Sequence, residues 1–216
     1  ANISKVIIEK GVTAIGEQAF SGCGKITEIT IPDSVTNIKT GAFFECAGLT
    51  SIEIPESVTE MGHSVFYGCV NLKEITLPSG VETINSGAFR DCESLETITF
   101  SKSVTKVDFA ALCNSSTLKT VIFENPECKI ADAEYTICNS HDFDTKENVF
   151  NGEIHGYANS TAQAYAEKYS RKFVPLDEKP AAEIVASGDC GDEGDNVKWQ
   201  LDSEEDYLLP SMLSDI

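Results

Sequence analysis

Apolar residues recur along this chain at one spacing. Val6, Ile29, Ile52, Ile75, Ile98 and Val121 follow a 23-residue period without insertion or deletion, and Ile8, Ile31, Ile54, Leu77, Phe100 and Phe123 hold the same register two residues later. Two apolar positions separated by a single residue form the period-2 pattern of a strand with one buried face, so each unit is predicted to contribute one short strand. Pro32, Pro55 and Pro78 follow these strands directly. Lacking an N–H and fixed in φ, proline ends the pairing there.

The remaining columns are as regular. Val12, Val35, Val58, Val81 and Val104 are followed three residues later by Ile15, Ile38, Met61, Ile84 and Val107, which read as a further core layer. Two columns, Gly16/Lys39/Gly62/Asn85/Asp108 and Gly22/Glu45/Gly68/Asp91/Asn114, are rich in residues that tolerate positive φ, and both read as sharp corners. Between them lie Phe20, Phe43, Phe66, Phe89 and Leu112. A unit this short cannot bury its own apolar face, but stacked units bury one another's. The chain is therefore a solenoid whose strands pair in parallel at about 4.8 Å.

The pattern L-x-x-I-x-I-P-x-x-V-x-x-I, ending in A-F-x-x-C, resembles the 23-residue leucine-rich repeats of the BspA-like family of bacterial surface proteins, over residues 1–124. The resemblance implies an α/β-type repeat solenoid: a right-handed superhelix of short parallel strands with a C-terminal helical cap. It also implies a non-catalytic binding or adhesion module, secreted or at the cell surface, whose ligand is a protein or glycan, host-derived.

Beyond residue 124 the period fails. Residues 125–175 are expected to cap the last coil, first as an irregular connection with one more strand near Cys128 to Ile130. Ser160 and Gln163 make a capping box, and Ala162, Tyr165, Ala166 and Tyr169 fall on one helix face, which can lie against the open end. Residues 176–216 read as an acidic linker and the start of an incomplete β module, with Asp206-Tyr207-Leu208-Leu209 departing from a strand pattern. The chain begins inside the repeat and reads as a segment of a longer protein.

Charge narrows the partners. With 35 acidic and 16 basic residues the net charge is −19, a field that repels phosphate backbones and anionic headgroups, so nucleic acid is excluded as a partner. The longest apolar run, Phe109 to Cys113, is far short of the ~20 residues that span a bilayer, so no direct membrane insertion is expected. A monomer is expected.

Candidate chemistry is sparse. Cys23, Cys46, Cys69 and Cys92 share one column, where stacked side chains point the same way; they read as buried free thiols, with Ser115 in the next place. Cys128, Cys138, His141 and His155 lack the close paired spacing of a zinc site. His63 sits in a tolerant surface column with Glu17, Thr40, Ser86 and Phe109. Asp189 to Asn196 fails the calcium-loop pattern at positions 3 and 12. No catalytic residue, metal or cofactor is implied.

What remains is surface. The outward strand positions Glu28, Thr30, Ser51, Glu53, Glu74, Thr76, Thr97 and Thr99 form a contiguous polar face, the candidate ligand-binding surface. Thr and Glu are also what a solvated strand carries, so a structural spacer or targeting segment of a larger surface protein, with an enzyme elsewhere, is the alternative.

Overall fold

In a computed structural model, the described residues are 3–142 and 144–176, together with three strands, Ile184–Cys190, Val197–Asp202 and Leu208–Pro210. They divide into two compact units, Ala1–Leu176 and Asp177–Ile216.

The first unit is a parallel-strand β-solenoid of about seven turns. Its front strands are Lys5–Ile7, Glu28–Thr30, Ser51–Glu53, Glu74–Thr76, Thr97–Phe100 and Thr120–Phe123. Where they pair they do so in parallel and in repeat register: Val6 faces Ile29, Ile52 faces Ile75 and Ile98 faces Val121. The central residues Ile29, Ile52 and Ile98 are buried while their polar neighbours face outward, and Val121 is buried between half-buried Thr120 and Ile122.

One strand per unit was the expectation, and the structure has two. Ala14–Ile15, Asn37–Ile38, Glu60–Met61, Thr83–Ile84, Lys106–Val107 and Lys129–Ile130 form two parallel back ladders, again at the repeat spacing. Two residues per strand are too few to show an alternation, which is why only a core layer is legible in the pattern here. These coils hold no helix, so the α/β-type expectation gives way to a β-solenoid.

The third side of each coil is a turn segment with its own hydrogen-bond ladder. Gln18, Phe20 and Gly22 donate their N–H groups to the carbonyls of Thr40, Ala42 and Phe44 in the next coil, at 3.0, 2.9 and 2.7 Å, and the same three bonds recur from Gly41, Phe43 and Glu45. The column Gly22/Glu45/Gly68/Asp91/Asn114 has positive φ throughout, as its residue types indicate. The other left-handed column is not Gly16/Lys39/Gly62/Asn85/Asp108 but lies two residues on, at Gln18, Gly41, Ser64, Gly87 and Ala110. The left-handed conformation costs Gln, Ser or Ala about 1–2 kcal/mol, and the axial ladder offsets it. Gly62 serves another purpose: a Cβ there would stand 2.3 Å from the Thr40 nitrogen.

The core is stacked column by column. The rings of Phe20, Phe43, Phe66 and Phe89 run parallel, with centroids 5.4–5.7 Å apart and planes within 8°. Phe43, Phe66 and Phe89 are fully buried; each burial contributes about 2–3 kcal/mol and each stacked pair about 1 kcal/mol more. Beside them runs the thiol column. Cys46, Cys69 and Cys92 donate to the carbonyls of Phe20, Phe43 and Phe66 at 3.0–3.2 Å, and the Ser115 hydroxyl makes the same bond to Phe89.

Past residue 124 the stacking continues with altered steps. Lys129–Ile130 keeps the back register, Leu112 bridges to Ile137, and a short hairpin pairs Ser140–His141 with Asn148–Val149. The front ladder is then extended by Glu153–Gly156 and Lys172–Pro175. Between those strands lies the helix Thr161–Lys168, capped by Ser160, whose side chain accepts from the Gln163 N–H. The Gln163 side chain reaches back one residue further than a capping box requires, accepting from Asn159 N–H at 2.7 Å. Ala162, Tyr165 and Ala166 are buried, and the Tyr165 hydroxyl donates to the Ala133 carbonyl at 3.0 Å.

The second unit is a three-stranded antiparallel sheet ordered Ile184–Cys190, Val197–Asp202, Leu208–Pro210. Strand structure thus begins inside the stretch read as linker, and Leu208-Leu209, which the sequence reads as departing from a strand pattern, pairs with Leu201 and Gln200. Of the rejected calcium loop, residues 191–196 lie outside the described residues.

The Cys/Ser equivalence yields the first prediction. Cys69→Ala removes one of two donors to the buried Phe43 carbonyl, which keeps the Cys46 N–H at 3.2 Å, and opens a small void, so it is expected to cost about 1–2 kcal/mol in chemical denaturation. Cys69→Ser keeps a donor and is expected to cost less; the reverse order would show that the column is packed for size alone.

Candidate functional site

The outward strand residues converge on one feature. Glu28, Thr30, Ser51, Glu53, Glu74, Thr76, Thr97 and Thr99 are all exposed and all line a groove of about 1280 Å³ that runs across the front strands. Asp33, Glu56 and Glu124 extend its rim, so the lining holds carboxylates from successive coils and, among the described residues, no Lys or Arg. Glu28 is neutralised locally, by Lys5 at 2.6 Å. Glu56 accepts from both the backbone and the hydroxyl of Ser79, at 2.9 and 2.7 Å, which hold its carboxyl below the ordinary range. The strands' fixed register carries this: every second residue points into the groove, and each coil adds one more pair.

The thiols are not poised for chemistry. Burial pushes Cys46 up to about 11 and Cys69 to about 12, and Cys92 well above its usual value. A thiolate is the reactive form, so these groups are inert. All seven cysteines among the described side chains are unpaired. Cys113 and Cys138 are in thiol–thiol contact: the proton Cys113 donates holds its own pKa up and brings that of Cys138 down. The residues weighed as a zinc set are dispersed. Cys128 is buried below the helix, the His141 ring bonds to Asn148 at 2.7 Å, and His155 bonds to Glu153 at 3.1 Å. Among the described residues no three His, Cys, Asp or Glu side chains are grouped to hold a metal ion, and no helix is long and apolar enough to cross a membrane.

A second concavity was not foreseen. It measures about 840 Å³ and lies along the corner side of the later coils, lined by Tyr67, Arg90, Phe109, Tyr135 and the hairpin residues His141 and Asn148. Tyr67 is stacked on Phe44 at 4.6 Å, and the Arg90 guanidinium lies over the Tyr67 ring at 5.4 Å. The signal for it was present in the tolerant column: Phe109 occupies a place where other coils carry Glu17, Thr40, His63 and Ser86.

Stacked parallel strands in 23-residue register, with an outward polar face, define a leucine-rich repeat solenoid. The family model for the BspA type leucine rich repeat region matches residues 1–119 in six copies, and the chain belongs to that family, a bacterial repeat type. Its fold is similar to the crystal structure of the T. pallidum leucine rich repeat protein, with 29% identity over 59% of this chain and 60% of that one and a TM-score of 0.55. A leucine-rich repeat protein from Eubacterium ventriosum is similar at 20% identity over 63% of this chain and 43% of that one, with a TM-score of 0.51. The match thus covers less than two thirds of either protein. None of the curated proteins compared matches significantly.

The raised thiols give a prediction with a definite sign. The folded values lie above the ordinary 9.0, so the folded state keeps protons that the unfolded chain releases. The stability contributed by the column is complete below about pH 9 and is lost as pH rises through about 11 to 12. Alkylation followed by mass spectrometry is expected to label half-buried Cys23 at pH 8 and to spare Cys46, Cys69 and Cys92. Rapid labelling of those three in the native state would show that the column opens.

Proposed function

We propose that this chain is a non-catalytic binding module of a secreted or cell-surface bacterial protein, and that the front groove receives an extended, basic segment of a protein partner. The observation that carries the reading is the groove's charge: carboxylates of successive coils line it, and Lys5 beside Glu28 stands at one end. The family supports the location. Contacts from Thr, Ser and Glu are individually weak, and repetition over several coils supplies the affinity. A monomer suffices, because the groove is built from a single chain. The short polar side chains also fit a spacer, and that reading stands if the groove binds nothing.

The helix Thr161–Lys168 is read as the cap of the solenoid. Tyr165 and Ala166 bury against the last coils, and Thr161 donates to the Pro126 and Cys128 carbonyls at 3.1 and 2.6 Å, closing backbone that would otherwise present an open edge. Residues 1–124, 125–175 and 176–216 are accordingly assigned as solenoid, cap, and linker with β module.

Two tests follow. Extended Lys- and Arg-rich peptides are expected to bind the full chain, more weakly as salt is raised, and replacing Glu28, Glu53 and Glu74 together by Lys is expected to weaken binding about tenfold or more. Retention of binding by the triple variant would remove the groove from the reading. Truncation after Asn125 is expected to aggregate or to lose thermal stability; an equally stable, soluble truncation would show that the helix is not a cap.

A further inference from the structure

The corner cleft has a composition that folding does not require. Its column is polar in every other coil, yet Phe109 is 49% exposed there, a placement with no benefit to the core. Its neighbours change in step. The column Ser21, Phe44, Tyr67, Arg90 begins small and becomes aromatic and then cationic as it approaches the cleft. The far wall exists only because the period breaks: the extra residues between Leu112 and Ile137 carry Tyr135 to the rim, and the hairpin is anchored by His141 N–H donating to the Asn114 side chain at 2.8 Å.

We propose that this cleft is a binding site for a neutral saccharide unit. Its volume of about 840 Å³ falls within the range of small-ligand sites, about 300–1,000 Å³. Phe109 offers an exposed ring face, and the half-buried Tyr135 ring stands 5.2 Å from that of His141, tilted by 37°. Such faces suit the C–H side of a pyranose. The polar lining is mixed in sense. Arg90 and the Lys146 ammonium donate; the Glu134 carboxylate accepts, already held by Arg171 at 3.3 Å and Asn148 at 3.1 Å but with lone pairs to spare. The Tyr135 hydroxyl can do both.

That mixture discriminates between ligand classes. A sugar hydroxyl both donates and accepts, so it satisfies both kinds of group. A carboxylate or phosphate would meet Glu134, with Asp91 close to Arg90 at 3.6 Å, in a protein of net charge −19. An ammonium would meet Arg90 and Lys146. Buried polar groups left unmatched reject a ligand more strongly than matched ones attract it, so the neutral polyol is the class that fits. The site is separate from the acidic groove and shares no residue with it.

Saturation-transfer NMR on the full chain, with methyl glycosides of glucose, galactose, mannose and N-acetylglucosamine at millimolar concentration, tests this. At least one of these is expected to receive saturation. Phe109→Ser, which installs the residue type of position 86 at an exposed site, is expected to reduce the transfer about fivefold or more, and Phe109→Trp to retain it. The Glu28/Glu53/Glu74 triple Lys variant is expected to leave it unchanged, which separates this site from the groove. The proposal is overturned if no neutral glycoside is saturated, if Phe109→Ser keeps the full signal, or if the triple variant abolishes it.

Discussion

The constraint on which this structure depends is closure of the chain within a 23-residue coil. Each coil must return to its start displaced by one strand spacing, so that front strand, back strand and corner segment all meet their counterparts in the next coil. Once that holds, every side chain stacks on its own equivalents. Phe packs on Phe, and each thiol of the buried column finds the carbonyl 26 residues earlier. Substitution is then judged by what the column needs rather than by residue class. Ser115 replaces Cys because the column needs a small donor aimed at a carbonyl, and Leu112 replaces Phe at the end of the ring stack, where the following coil no longer keeps the repeat length.

Much of this was legible because the period itself carries information. Front strands announced themselves by alternation, and the column from Gly22 to Asn114 by its turn-forming residues, even at Glu45, which has φ 53°. Other features were hidden for definite reasons. A two-residue back strand has no alternation to detect. The left-handed positions Gln18, Ser64 and Ala110 run against their own preferences and are held by bonds to the next coil that local sequence does not encode. Past Phe123, Glu153–Gly156 pairs with Thr120–Phe123 after a longer step than the repeat, so a search at the old period passes over it.

The front groove followed from the same logic: outward columns of known identity, stacked in known register, had to form one continuous surface. The corner cleft did not. It needs the hairpin Ser140–His141/Asn148–Val149 and the turn at Glu134–Thr136, both products of the broken period, to stand opposite Arg90 and Phe109. Pattern reading places residues within a repeat; it does not place an aperiodic segment against one.

A repeat protein supplies its own reference for function. Where successive coils carry interchangeable polar residues, as with Thr30, Glu53, Thr76 and Thr99 in one outward column, solvation is sufficient cause and only the assembled charge of the face adds meaning. Where one coil departs from its column at the surface, solvation is not sufficient. Phe109 exposes a ring that Glu17, Thr40, His63 and Ser86 show to be unnecessary for the turn, and the departure coincides in space with Arg90, Tyr67 and Tyr135. The two faces thus differ in kind. The groove draws on many equivalent, weak, electrostatic contacts that lengthen with the number of coils, whereas the cleft is a single aromatic and polar pocket fixed at the place where the repeat ends.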